Sequence, residues 1–310
     1  MSNTNENLRT KKNALLETSV APETPEKKKV KKLRKGSIVV NIIGLTIFSI
    51  YALSLLGSLG YTFLNSLKSR REYMNDVVSL PQDWLFSNYV DAFSVLSAKG
   101  NSFIGMFWNT LWLSLLNPTI HLFTGAMAAY VMAKYKFPGR SIIWGIMITT
   151  MVIPIYGATA STYKMYRYLG FYDSPTILLR SIASLGGGMM LIAAFEGVST
   201  TYMEAGFLDG AGHTRVFFTI MLPQIVGLLT ALWIMEFVGE WNNYMRSIMY
   251  LPSYPTLMTG LYIYQKENSR TLNIPILFAG ALICSVPTVI LYMMFQDKFM
   301  NLSYGGGIKG

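Results

Sequence analysis

Charge is scarce in this chain of 310 residues. Asp, Glu, Lys and Arg make up 14% of it, while 52% is hydrophobic and the mean hydropathy is +0.35. An ordinary soluble domain carries about a quarter charged residues, so this composition excludes a typical globular enzyme. Cysteine is nearly absent. Cys284 stands alone, which excludes a disulfide framework and any cysteine-built zinc or iron–sulfur site. His121 and His213 are the only histidines, leaving little material for metal chemistry or a histidine-based triad. No G-x4-G-K-[ST] phosphate loop occurs; Gly305-Gly306-Gly307-Ile308-Lys309 has neither the spacing nor a following helix. No G-x-S-x-G surrounds any serine, and with one intramembrane histidine an intramembrane hydrolase lacks its parts.

What the chain has instead is long uncharged stretches. A helix needs about 20 apolar residues to cross a bilayer core. Gly36–Leu67 and Gly100–Ala133 meet that length, the second free of charge apart from His121. Ser141–Tyr163 is a third candidate. Ser181–Phe195 is shorter, with Gly186-Gly187-Gly188 in its middle, and reaches full length only by including Thr176–Leu179 and Arg180. Val216–Met235 begins a fifth span and Thr271–Gln296 contains a sixth. Pro154, Pro275 and Pro287 fall within these stretches and are expected to kink them.

The remaining charge is lopsided, 26 basic residues against 16 acidic ones. Residues 1–37 hold ten of the bases and four of the acids, and they abut the first apolar run without a linker. That arrangement reads as a cytosolic topogenic flank rather than a nucleic-acid arm. It is not expected to be a cleavable signal peptide, since the run it precedes is far longer than the usual apolar region and no A-x-A site follows. Lys134–Arg140 carries three bases in seven residues, whereas the longer connections Lys68–Lys99 and Arg246–Arg270 are diluted by acids. Both termini are therefore expected in the cytosol, an even-numbered topology. Ala133–Arg140 and Gly197–Met221 then face the cytosol, and Lys68–Lys99, Leu169–Pro175 and Arg246–Arg270 face the exterior.

The most informative of these segments is Thr201–Pro223. Thr201-x-x-Glu204 reads as a capping box opening a short helix, with the Glu204 carboxylate in the first turn where it suits the helix dipole. Ala205, Gly206, Gly210 and Ala211 make this helix rich in small residues, able to approach another backbone closely or to seat in a groove. Gly210 and Gly212 are expected to end it in a sharp turn. A second helix is expected from Thr214 through Pro223 into the fifth span. A plain amphipathic connector at the lipid surface would want bulky apolar and basic residues, and the loop offers one arginine. A knob for a partner's groove fits better.

These same residues carry a resemblance. Glu204-Ala205-Gly206, Gly210, Ile220 and Leu222-Pro223 match the pattern E-A-A-x3-G-x9-I-x-L-P of binding-protein-dependent ABC importer permeases, with Gly206 in place of the usual second alanine. That replacement should weaken the helix intrinsically by about 1 kcal/mol. Phe107-Trp108-Asn109-Thr110-Leu111, Ala128-Ala129-Tyr130, Phe137-Pro138-Gly139-Arg140, Ile153-Pro154, Leu169-Gly170-Phe171-Tyr172-Asp173-Ser174, Asp209-Gly210-Ala211, Trp241-Asn242-Asn243-Tyr244 and Gly307-Ile308-Lys309-Gly310 are similar to the carbohydrate-importing subfamily, the maltose-type second permease. The resemblance spans roughly residues 38–310.

The resemblance implies an all-α integral membrane protein with six transmembrane helices, the type I ABC importer permease (MetI-like) bundle. Its division would be a basic cytosolic tail over 1–37, a first transmembrane helix and exterior loop over 38–103, a transmembrane core over 104–297 with a coupling loop at 199–222, and a cytosolic tail over 298–310. It implies a permease subunit of an ATP-driven sugar importer, not itself an enzyme, in a bacterial cell membrane. This chain would bind no cofactor or metal; ATP and Mg are used by a separate ATPase pair. The partners implied are those two ATPase subunits, a second homologous permease, an extracellular or periplasmic solute-binding protein and membrane lipid, with no nucleic acid. Glu204, Ala205, Gly206, Asp209, Gly210, Ala211, Leu222 and Pro223 would couple the chain to the ATPases, with the Gly305–Gly310 tail as a further contact.

Polar residues at membrane depth supply the other candidates. Glu236 and Glu240 are four apart and so share a helical face, with Trp233 and Asn243 on the same face. Charge at the bilayer centre costs on the order of 2.5–3.5 kcal/mol per residue on insertion scales, so the stripe should not face lipid. One reading is a translocation pathway in which carboxylates and Asn243 bond sugar hydroxyls and Trp233 stacks on a pyranose. The other is helix–helix glue to the partner permease, with Glu240 emerging at the interface. A secondary transporter using Glu236 and Glu240 as ion sites is the alternative in function. It predicts an inverted repeat, which the chain does not display. His121, near Asn117-Pro118, is expected to be a hydrogen-bonded structural histidine, and His213 a cap or ATPase contact. The Gly186–Gly188 run is expected to allow close helix packing or a break lining the cavity.

Overall fold

A computed structural model of the protein describes residues 35–152, 157–183, 188–267 and 272–305. The basic tail up to Arg34, Pro154, Gly186-Gly187 and the last five residues, Gly306–Gly310, lie outside the described residues. Fourteen α-helices follow one another with no strand among the described residues: α1 Lys35–Ser66, α2 Arg70–Asn75, α3 Ser87–Val95, α4 Phe103–Lys134, α5 Arg140–Val152, α6 Thr159–Tyr168, α7 Gly188–Gly197, α8 Thr200–Leu208, α9 His213–Val216, α10 Leu222–Gln224, α11 Val226–Trp241, α12 Tyr244–Tyr250, α13 Leu257–Glu267 and α14 Ile274–Gly305. A 3-10 segment, Pro175–Ala183, precedes α7, and a π-helical turn, Phe217–Met221, joins α9 to α10.

The chain divides into two compact units, Met1–Gly57 and Ser58–Gly310. Of the first, residues 35–57 are described and belong to α1, where Leu45, Phe48, Leu53 and their neighbours point outward. In the second unit α4 is the central element, packing on α7 along one part of its length and on α11 along another. It starts at an N-cap, Ser102, whose hydroxyl accepts from the Gly105 N–H at 3.4 Å. One apolar cluster gathers Ala92, Leu96, Met106, Phe237, Trp241, Leu261 and Ala279 from α3, α4, α11, α13 and α14. There the Trp241 indole N–H donates to the Cys284 carbonyl at 2.9 Å. A second cluster gathers Leu122, Ala126, Tyr130, Leu191, Phe195, Val216 and Met221 from α4, α7, α9 and the π turn.

The apolar stretches match helices unevenly. Val40–Ser66 and Ile274–Gln296 are long and apolar enough to cross a membrane, and a third candidate arises if the bent pair His213–Gln224 and Val226–Trp241 is taken as one span. The fifth stretch is thus not a straight helix: it turns by 77° at Ile225. Pro223 sits two residues before the bend, and a proline that lacks an N–H and crowds the preceding turn explains both the π turn ahead of it and the break behind it. The fourth stretch departs from an α-helix as well. Thr176–Leu179 and Arg180 lie in the 3-10 segment, and α-helix resumes only at Gly188. Pro118 and Pro287 lie inside continuous helices, and Pro275 lies in the first turn of α14, where a missing N–H is tolerated.

The turns at one end are tied together at Asp173, whose N–H also donates to the Tyr250 carbonyl at 2.7 Å. Asp173 adopts φ +51°; its Oδ1 accepts from the Ser253 N–H at 2.8 Å and its Oδ2 from the Ser253 hydroxyl at 2.7 Å. Aspartate is among the few L residues that tolerate the left-handed region, so the turn after α6 and the turn after α12 meet through this residue. Elsewhere at the surface Lys68 is buried, with Nζ donating to the Asp76 carbonyl at 3.0 Å. The Asn88 amide closes the same connection onto the end of α1, donating to the carbonyls of Ser66 at 2.7 Å and Lys68 at 2.9 Å.

Candidate functional site

Two places carry the sequence-predicted residues. The first is the loop 199–222. Its helix, α8, is capped by Ser199 rather than by Thr201: the Ser199 hydroxyl accepts from the Thr201 N–H at 3.3 Å and donates to the Thr201 hydroxyl at 3.0 Å. The capping-box reading is corrected accordingly. The helix starts two residues earlier than that box requires, because Ser199 takes the extended conformation a cap needs, and Thr201 and Glu204 lie inside the helix. Glu204 and Ala205 are exposed.

The C-terminus of α8 is a Schellman turn. The Ala211 N–H donates to the Gly206 carbonyl at 3.0 Å and the Gly210 N–H to the Phe207 carbonyl at 3.0 Å. Asp209 is the C-cap and Gly210 follows at φ +79°, the left-handed position that glycine fills without penalty. Gly212 has an ordinary extended conformation and serves as the N-cap of α9. Gly206 is buried, and its small size is used within the chain. A Cβ there would lie 2.6 Å from Ile220 Cδ1 and 3.1 Å from Val216 Cγ2, so glycine lets α8 press onto the π turn. Ala211 is half-buried against the same cluster.

His213 joins this packing. Its Nδ1 pairs with the Tyr135 hydroxyl at 2.7 Å, and its ring meets Phe207 edge-on at 4.8 Å. Leu222 is half-buried and Pro223 exposed. With Gly206 turned inward, the exposed residues of α8 are Thr200, Thr201, Tyr202, Glu204, Ala205 and Leu208. Leu208 is 89% exposed and Tyr202 53%.

The second place is a cavity of about 370 Å³ between α4, α11, the 3-10 segment and the start of α12. Glu236 and Glu240 both line it, as their four-residue spacing requires. Facing them are Asn117 and His121 of α4, with Ser181, Arg180 and Arg246. His121 Nδ1 lies 3.0 and 2.9 Å from the two Glu236 oxygens. Glu240 is buried and hydrogen-bonded to Arg246, whose guanidinium donates to Oε1, while the Asn117 amide donates to Oε2 at 3.2 Å. The Ser181 hydroxyl completes the chain, donating to Asn117 Oδ1 at 2.5 Å.

The other two residues of the predicted stripe go elsewhere. Trp233 lines a separate, largely apolar pocket of about 260 Å³ with Phe123 and Leu229; its indole N–H donates to the Thr119 hydroxyl at 2.9 Å and its ring stacks on Phe237 at 5.4 Å. Asn243 caps α12, its Oδ1 accepting from the Arg246 N–H at 3.1 Å.

Sequence reasoning missed Asn117, Ser181, Arg180 and Arg246 as cavity residues. Part of the signal was present: Thr110, Ser114, Asn117, His121 and Thr124 recur every three or four residues along an otherwise apolar helix, one polar face of α4. Arg180 and Arg246 carried no such periodicity. Among the described residues no group of three or more His, Cys, Asp or Glu side chains is placed to hold a metal ion.

No family model matches the chain. Individual proteins do. It is 28% identical over 244 residues to the diacetylchitobiose uptake system permease NgcG of Streptomyces coelicolor, covering 77% of this chain and 79% of that one. It is 26% identical over 278 residues to the arabinooligosaccharides transport system permease AraQ of Bacillus subtilis, covering 85% and 98%. Its fold matches a chain of a bacterial ABC transporter involved in the import of the acidic polysaccharide alginate, with a TM-score of 0.72 and 21% identity over 85% of this chain and 98% of that one. The chain therefore has the fold of an ABC importer permease and, in sequence, is a relative of sugar ABC transporter permeases, transport components rather than enzymes.

Proposed function

We propose that this chain is one permease subunit of an ATP-driven importer of sugars, most naturally oligosaccharides, coupled to a separate ATPase through the loop 199–222. The observation that carries the reading is the build of α8. Gly206 buries one side of the helix against Val216 and Ile220, a Schellman turn closes its end, and Thr201, Tyr202, Glu204, Ala205 and Leu208 are exposed. A short helix fixed to its own chain on one face and open on the other is suited to pass a push from a partner into α9, the π turn and α11.

In this reading the chain crosses the bacterial cell membrane six times, with α4, the α5–α6 stretch, the 3-10–α7 stretch and the bent α9–α11 stretch joining the two plainly apolar helices. The termini and loop 199–222 are cytosolic. Two ATPase subunits hydrolyse ATP with Mg, and a second, related permease completes the pathway. A solute-binding protein delivers substrate to the outer side. Each conformation of the bundle is favoured by the ligand that prefers it, nucleotide on one side and loaded binding protein on the other. The cavity between Glu236 and Glu240 is this chain's share of the route.

The test is reconstitution. Co-expressed with a sugar-importer ATPase and a second permease of the same organism, the chain should co-purify with both and import labelled oligosaccharide only with ATP. Glu204→Lys and Gly210→Leu should abolish uptake while leaving membrane insertion intact. Undiminished uptake in both variants, or import driven by an ion gradient without the ATPase, overturns the reading.

A further inference from the structure

We propose that the cavity is built for a saccharide bearing an acidic group, a carboxylate or sulfonate, and that Arg180 is the residue that receives it. The inference rests on the transport reading above and adds the class of substrate. Its ground is the hydrogen-bond accounting of the cavity. Glu240 has both oxygens taken, one by Arg246 and one by Asn117 at 3.2 Å. Glu236 has both oxygens within 3.0 Å of His121 Nδ1. The Asn117 carbonyl oxygen is taken by Ser181 at 2.5 Å.

Arg180 is the exception. It lines the same cavity, yet among the described residues its guanidinium makes no hydrogen bond. Two guanidinium groups and two carboxylates line the cavity; Glu240 is bonded to Arg246 and Glu236 to His121, which leaves Arg180 as the charged group there with no hydrogen bond among the described residues. In the six-span reading Arg180 lies within the fourth stretch, where an ionisable side chain marks a functional site by default.

The chemistry of the fork decides what the ligand is. A guanidinium presents parallel N–H donors that a carboxylate accepts two at a time, and such charge-assisted pairs are about twice as strong as neutral hydrogen bonds. A neutral sugar hydroxyl offers only single, uncharged contacts. The cavity, about 370 Å³, falls in the range of roughly 300–1,000 Å³ that small-molecule sites occupy.

The experiment uses the whole importer complex in nanodiscs, with digalacturonate and its neutral counterpart galactobiose as probes in equilibrium binding. Wild type should bind digalacturonate at least tenfold more tightly, and added salt should reduce that preference. Arg180→Gln should remove the preference, lowering digalacturonate affinity at least tenfold relative to galactobiose; Arg180→Lys, which keeps the charge without the fork, should retain part of it. Equal binding of the two probes by wild type, including no binding of either, overturns the proposal, as does a preference that survives in Arg180→Gln. Failure here is separable from failure of the transport reading: a complex that still imports neutral oligosaccharide with ATP refutes only the acidic ligand.

Discussion

Gly206 stands against Ile220 so closely that a single added carbon would come within 2.6 Å of the isoleucine Cδ1 and 3.1 Å of Val216 Cγ2. The nearer contact is the free end of a side chain and can rotate away; Val216 is fully buried and β-branched, and cannot. Gly206→Ala should therefore be close to neutral, with about 1 kcal/mol of regained helix propensity offsetting the crowding. Gly206→Leu should force α8 off the π turn, costing about 1–3 kcal/mol. Hydrogen exchange across 200–222 measures both: near wild-type protection for the first, faster exchange of the whole segment for the second.

The cap at Ser199 is a separate and smaller effect. Ser199→Ala removes the acceptor for the Thr201 N–H and should cost about 1 kcal/mol, which is about fivefold in local opening of the first turn of α8. Thr201→Ala should change exchange there much less, since the Thr201 side chain caps nothing. Equal effects of the two substitutions would restore the capping-box reading.

Glu240 and Arg246 form a buried pair with side chains 6% and 14% exposed. Removing one partner leaves the other charged, buried and unmatched. Glu240→Ala should lower stability by about 3–5 kcal/mol, while the apolar double replacement Glu240→Met with Arg246→Leu should recover most of it. Thermal unfolding of the purified protein in mild detergent compares the two variants. A double variant no more stable than the single one would refute the pairing argument.

The connection between α2 and α3 predicts a pH dependence. Asp76 Oδ1 accepts from the Val78 N–H at 2.8 Å and the Ser79 N–H at 3.1 Å, and these backbone donors hold its carboxyl below the usual range. A carboxyl depressed in the folded state stabilises above its unfolded value and loses that contribution as pH falls through the folded one. Protection of the 77–79 amides should accordingly persist through mildly acidic pH and fade below the ordinary carboxylate range. Asp76→Ala should show weak protection at every pH, and a wild-type loop whose protection improves on acidification would contradict the sign.

Asp173 combines a left-handed backbone at φ +51° with bonds to Ser253. Asp173→Asn keeps the tolerance for that conformation and one acceptor, so it should be mild, whereas Asp173→Val adds a β-branched side chain at positive φ and removes both acceptors. Limited proteolysis at 169–175 and 250–256 should increase strongly for valine and little for asparagine.

What amino-acid order determined here is whatever depends on neighbours along the chain. The apolar lengths of α1 and α14, the bases of the N-terminal segment, the small-residue loop at 204–211 and the four-residue spacing of Glu236 and Glu240 are local quantities. The resemblance they carried agrees with the permease fold. Only the tertiary structure decided the rest. Proline chemistry permits a bend near Pro223, but its 77° is read only from the folded chain. Gly206 is small for the sake of Ile220, fourteen residues on. Trp233 and Asn243 share a helical stripe with the two glutamates, yet neighbouring side chains draw one to Thr119 and fix the other as a cap. Arg180 and Arg246 enter the cavity from segments 66 residues apart in number, and no periodicity along a chain can announce a meeting that the folding of several helices brings about.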